Sequence, residues 1–267
     1  MEPQTPHSPE STFILAMAQM KVIGGDLRGN LLRAAKMTAD AAAAGADVIV
    51  LPEAMDAGWT HHSAAELAGE IPDGESCEYL AGLAEEHAIY LCAGITERDG
   101  DAIYNSAVLF DRRGQLRIHH RKINELDFAR RVYSAGESTA VCATEFGKVG
   151  VMICADAFIE GLTISRQLGK DGARLVLSPC AWAVPDDHDN EADPYGQLWI
   201  DSYKPVAREH GLWIAGVSNV GKIRSGEWAG RHCIGSSMLV NPDGEVLARA
   251  PYGRDAEALV LTEIPRE

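Results

Sequence analysis

Residues 45–53 read Gly45-Ala46-Asp47-Val48-Ile49-Val50-Leu51-Pro52-Glu53, and this stretch decides the fold class. The run 47–51 is short and β-branched, the pattern of a buried strand, and Pro52 ends it. Upstream, 30–44 is rich in Ala and Leu and reads as a helix, and 13–20 (FILAMAQM) reads as a first strand. Downstream, the spacing predicts a helix over 75–87 and a strand over 89–95. Strands 106–110 and 116–121 flank Asp111-Arg112-Arg113-Gly114, a hairpin signal. A strand at 149–153 precedes a helix near 160–170. Further strands follow at 175–178, 213–218 and 237–240, and the turn Asn241-Pro242-Asp243-Gly244 leads to 246–250. This alternation from end to end calls for an α/β layered domain. No repeat and no linker divides it, so 12–267 reads as a single domain and 1–11 as a short flexible arm. The exception to the alternation is 181–197 (AWAVPDDHDNEADPYGQ), long, acidic and punctuated by proline. Such a stretch is either a solvated loop or a functional one.

The chain has 267 residues, enough to bury one sizeable core. Lys plus Arg total 24 against 39 Asp plus Glu, a formal charge of −15. That balance argues against nucleic acid and against an anionic membrane surface as partners. No stretch reaches the roughly 18 apolar residues that a membrane span needs. The first eleven residues lack a signal-peptide pattern. The cysteines at 77, 92, 142, 154, 180 and 233 form no CxxC pair, and several sit in apolar runs. Reduced thiols in the cytoplasm are the expectation.

Three strand ends carry candidate chemistry. Cys154 follows Val149-Gly150-Val151-Met152-Ile153. A nucleophile there would stand at the rim of a sheet, where backbone N–H groups can hold an oxyanion; a lone Cys in an apolar run is also an ordinary core residue. Glu53 ends its own buried run. Burial would raise its pKa toward that of a general base near neutrality, whereas a loop carboxylate in water would have no such role. Lys122 ends His119-His120-Arg121-Lys122, as a solvated edge residue or as a stabiliser of negative charge on a substrate oxygen.

Together, Glu, Lys and Cys in this order resemble the nitrilase, or carbon–nitrogen hydrolase, superfamily. Gln19 with Asp26 and Asn30 is similar to its opening strand and helix. Residues 45–53 are similar to its first catalytic motif and Arg121-Lys122 to its second. Gly150-Val151-Met152-Ile153-Cys154-Ala155-Asp156 is similar to its third, with Glu160 at the later acidic position. Gly235-Ser236-Ser237 followed by residues 241–244 resembles its closing strand pair. The likeness covers roughly residues 12–252. It implies an αββα sandwich, assembled as a homodimer or higher homo-oligomer, that hydrolyses the C–N bond of a small linear amide without metal or organic cofactor. It further implies that Glu53 is general base and acid, that Lys122 and a backbone N–H near Ala155 hold the oxyanion, and that Cys154 forms a thioester. A second glutamate usually follows the lysine. Its usual spacing falls here on Ala129, so Glu125 is the substitute, with Asp127 as rival.

The same comparison narrows the substrate. Nitrile-cleaving members carry Trp-Glu after the nucleophile; Ala155-Asp156 stands here, which favours amides. Members that cleave N-carbamoyl amino acids place arginine just beyond the nucleophile, where this chain has Ala157, Phe158 and Ile159. An N-carbamoyl amine hydrolase remains the second enzymatic reading, and a non-catalytic binding member or a papain-like Cys–His hydrolase are the others. Ala155, Asp156 and Trp182 are the expected substrate contacts. The acidic loop suits a neutral or cationic substrate better than an anionic one. The His pairs at 61–62 and 119–120 do not suggest a metal, because adjacent strand residues face opposite ways.

Overall fold

The computed structural model describes residues 11–266; all but the last residue of the arm expected at 1–11 lies outside them. In chain order the strands are β1 (Thr12–Gln19), β2 (Val48–Val50), β3 (Tyr90–Asp99), β4 (Ala102–Phe110), β5 (Leu116–Arg121), β6 (Val141–Thr144), β7 (Gly147–Val151), β8 (Leu175–Cys180), β9 (Ala183–Val184), β10 (Trp213–Ser218), β11 (Val220–Lys222), β12 (His232–Ile234), β13 (Met238–Val240), β14 (Val246–Arg249) and β15 (Ala258–Pro265). The helices are α1 (Leu27–Ala43), α2 (Ala64–Leu67), α3 (Glu75–Glu86), α4 (Thr163–Lys170) and α5 (Gln197–His210).

One six-stranded sheet runs β15-β1-β2-β3-β4-β5 and a second runs β14-β13-β10-β8-β7-β6. At the centre of each, three strands are parallel: β1 with β2 and β3, and β7 with β8 and β10. The sheets pack face to face. Leu15, Met17, Val48 and Val50 meet Val151, Leu177, Ala215 and Val217 in one buried core. Alternate residues of the same strands face outward. Ala16, Ile49 and Leu51 are covered by Leu31 and Ala34 of α1 and Leu80 and Leu83 of α3. On the other side, Val176 and Ile214 are covered by Leu168 of α4 and Tyr203, Val206 and Ala207 of α5. Helix, sheet, sheet and helix make the αββα sandwich. Strands covered on both faces read as unbroken apolar runs, which is why 47–51 was so legible.

The departures from the sequence reading are local. Helix α5 is not foreseen, because Pro205 lies inside it and the acidic loop precedes it. Its buried face, Trp199, Ser202, Tyr203, Val206 and Ala207, holds it as a helix despite the missing N–H. The helix expected near 160–170 is a 3-10 turn (Glu160–Leu162) followed by α4. The stretch 181–197 is not all loop: β9 pairs with β12, and β11-β12-β9 form a small third sheet. Strands β6, β11, β12 and β15 also went unread. Among the described residues no helix is long and apolar enough to cross a membrane.

Candidate active site

Strands β2 and β5 belong to one sheet and β7 to the other, and the chain just beyond each end meets in one cavity. Glu53 stands three residues beyond β2, Lys122 directly after β5, and Cys154 three residues beyond β7. The cavity holds about 240 Å³ and is bordered by all three. The backbone is contorted where it delivers them. Cys154 itself has φ +41° and Ala54, next to Glu53, has φ +42°, a region that non-glycine residues seldom occupy and that clusters at functional sites. Gly94 on β3 permits the close approach of Glu53: a Cβ there would meet Glu53 Cα at 2.6 Å.

Glu53, Lys122 and Glu125 are each 1% exposed. Lys122 Nζ donates to Glu53 Oε1 at 2.6 Å and lies 3.6 Å from Glu125 Oε2. Burial alone would favour neutral lysine, but the charges of Glu125 and Glu53 outweigh it and hold the Lys122 pKa well above its ordinary value. Asn105 on β4 donates its Nδ2 to the same Glu53 oxygen at 2.7 Å. Burial, with the charges of Glu53 and Asp156 and against that of Lys122, pushes Glu125 up to about 7. For Cys154, burial pushes the thiol well above its ordinary pKa. A hydrogen bond with Cys180 and the charge of Glu53 add to this, and Lys122 opposes it. These surroundings favour the neutral thiol over the thiolate.

Glu125 is thus the carboxylate beside Lys122, whereas its rival Asp127 is exposed. Ala155 and Trp182 border the cavity. Asp156 does not, which corrects its assignment as a substrate contact. It is 0% exposed. Its Oδ1 accepts from the Ile123 and Asn124 N–H groups at 3.1 and 2.8 Å. Its Oδ2 accepts from the Ile153 N–H at 3.0 Å and pairs with His120 Nε2 at 2.9 Å. Asp156 therefore ties the turn after Lys122 to the turn that carries Cys154. Among the described residues no histidine borders the cavity; His119 pairs with Glu97 at 2.8 Å instead.

Sequence reasoning missed most of the wall. Trp59, Phe158, Tyr195, Leu198, Trp199 and Trp228 border the cavity, and an aromatic residue carries no signal that separates wall from core. Asn105 did carry one, as a polar residue beside Ser106 in the mostly apolar run of β4. Cys180 is buried and also hydrogen-bonds with the Cys154 thiol.

The family model described as Carbon-nitrogen hydrolase matches residues 14–267. A Pyrococcus abyssi protein named Nitrilase is 32% identical over 225 residues, 83% of this chain and 78% of that one. Omega-amidase NIT2 of Xenopus tropicalis is 32% identical over 231 residues, again 83% and 78%. Among solved structures, the carbon-nitrogen hydrolase from Helicobacter pylori G27 superposes with a TM-score of 0.84 at 22% identity, covering 96% of this chain and 90% of that one. Saccharomyces cerevisiae Nit3, a member of branch 10 of the nitrilase superfamily, gives 0.80 at 25%, covering 95% and 90%.

Proposed function

The chain belongs to the carbon–nitrogen hydrolase family, and from that premise we propose that it hydrolyses a small linear amide to a carboxylic acid and ammonia through a thioester on Cys154. The observation that carries this reading is the meeting of Glu53, Lys122 and Cys154 at one cavity, with the lysine buried and charged between two carboxylates.

The chemistry follows from the groups. Glu53 takes the proton of the Cys154 thiol as sulfur attacks the amide carbon. The carbonyl π electrons move to oxygen, and Lys122 Nζ with a backbone N–H near Ala155 stabilises the oxyanion. Glu53 then passes its proton to the amide nitrogen, the C–N bond breaks and ammonia leaves. A water, deprotonated by Glu53, attacks the thioester carbon. The C–S bond breaks, the acid departs, and the proton on Glu53 returns to sulfur. Glu125, beside Lys122, keeps the ammonium in place through the cycle.

The test is ammonia release from a panel of primary amides. Cys154→Ala is expected to fold normally and lose turnover, and Lys122→Ala to lose at least about a hundredfold in kcat. Turnover retained by Cys154→Ala overturns the proposal. Carbon dioxide released with ammonia from carbamoyl compounds alone would replace it with the carbamoyl-hydrolase reading. Dependence on a histidine in place of Lys122 would replace it with a papain-like one.

A further inference from the structure

The cavity that holds the reacting groups has a wall of unusual uniformity. Trp182 stacks on Trp199 with centroids 4.5 Å apart and planes at 21°. Phe158 meets Trp199 edge-on at 5.3 Å, and Trp59 meets Trp228 edge-on at 4.8 Å. Tyr195 completes the aromatic surface, with its hydroxyl oxygen accepting from the Trp199 Nε1–H at 2.9 Å. Interlocked rings of this kind resist rearrangement around a ligand.

Charge is as telling as shape. Among the described residues that border the cavity, Lys122 is the one cation, and no arginine or histidine is among them. That lysine is already shared by Glu53 at 2.6 Å and Glu125 at 3.6 Å. A carboxylate on the substrate would be a further anion around one ammonium, stripped of water with no countercharge of its own. The start of α5 borders the cavity through Leu198 and Trp199. Its dipole favours an anion, but a helix end offsets only a small part of that loss. The indole N–H groups of Trp59 and Trp182 are buried without an acceptor in the protein. They are donors without charge, able to bond an oxygen of the substrate but supplying no countercharge for a carboxylate.

We infer that the site selects neutral amides with an apolar, branched or aromatic arm beyond the carbonyl and rejects amides whose arm ends in a carboxylate. This rests on the amide-hydrolysing reading above. The volume agrees: an apolar cavity of about 150 Å³ accommodates benzene, so 240 Å³ holds a phenyl or isobutyl arm with the carboxamide.

The test compares kcat/KM of the full chain for 4-methylpentanamide and for succinamate, which differ mainly in an isopropyl or a carboxylate end, with 3-phenylpropanamide as the aromatic probe. Both apolar amides are expected to exceed succinamate by at least about a hundredfold. Equal or better turnover of succinamate overturns the inference and leaves the amidase reading intact. No ammonia from any of the three, with no acyl group on Cys154, overturns both. A second variant tests the charge argument. Leu198 borders the cavity yet is 52% exposed, so Leu198→Arg does not disturb a core. It is expected to narrow the preference at least tenfold, chiefly through a lower KM for succinamate. A ratio unchanged in that variant overturns the countercharge explanation.

Discussion

Replacing Asp156 separates a positioning residue from a substrate contact. The carboxylate accepts from the N–H groups of Ile123, Asn124 and Ile153 and from His120, all within 3.1 Å. Burial pushes its pKa up, but His120 and the backbone donors outweigh it and hold it below the ordinary aspartate value. Asp156→Ala orphans all four donors in a site without water access. At about 1–3 kcal/mol for each unsatisfied buried donor, and with partial relaxation, the loss is roughly 4–8 kcal/mol. That is comparable to the whole stability of an ordinary domain. Asp156→Asn is the gentler probe. Its amide oxygen retains two acceptor bonds while its NH2 confronts the remaining donors, for an expected cost of roughly 2–4 kcal/mol. Urea unfolding measures this as a lower midpoint at unchanged slope. In the same variant kcat should fall more than KM rises, because the turns carrying Lys122 and Cys154 lose their tie. The sign with pH follows from the lowered pKa: the contribution is present above the unfolded value near 3.8 and is lost as pH falls through the folded one. An Asn variant within 1 kcal/mol of the parent, with KM raised and kcat unchanged, would refute the reasoning and restore Asp156 as a substrate contact.

Two other carboxylates give pH signatures of opposite sign. Glu125 is raised from 4.5 to about 7, so its stabilising contribution is complete below 4.5 and is lost as pH rises through about 7. Glu125→Gln should flatten the change in unfolding free energy across that window and lower kcat; an unaltered pH profile of stability would contradict the placement. At Glu97 burial pushes the carboxyl up, but His119, Arg121 and Ser106 outweigh it and bring it down to about 2. Its contribution, about 3 kcal/mol from a shift of this size, is present above 4.5 and fades as pH falls toward 2. Glu97→Gln should therefore cost stability at pH 7 and narrow the gap to the parent in acid, as followed by thermal unfolding across that range.

Glu53 and Cys154 were readable because each stands just past the end of an apolar run, and a polar residue there interrupts a pattern with a physical cause; Lys122 follows the polar run His119-His120-Arg121 and was singled out by the family resemblance. Glu125 was reachable from Lys122 by proximity in the chain. Asp156 was misread for the opposite reason. Its neighbours are the backbone N–H groups at 123, 124 and 153, and backbone donors leave no trace in a residue pattern. Helix α5 does show its buried spacing in Trp199, Tyr203, Val206 and Ala207, but Pro205 masks it, since proline ordinarily ends a helix. The wall drew residues from many parts of the chain, from Trp59 to Trp228. Only tertiary packing unites them.

The central claim is that Cys154 carries the acyl group, and intact mass after acid quench tests it most directly. Mixing the protein with 3-phenylpropanamide and quenching within the first turnover should show a mass gain equal to the acyl group. The gain should map to the peptide containing Cys154 and be absent from Cys154→Ala. Ammonia released at the full rate with the acyl group on another residue, or with the same turnover in Cys154→Ala, would contradict the account.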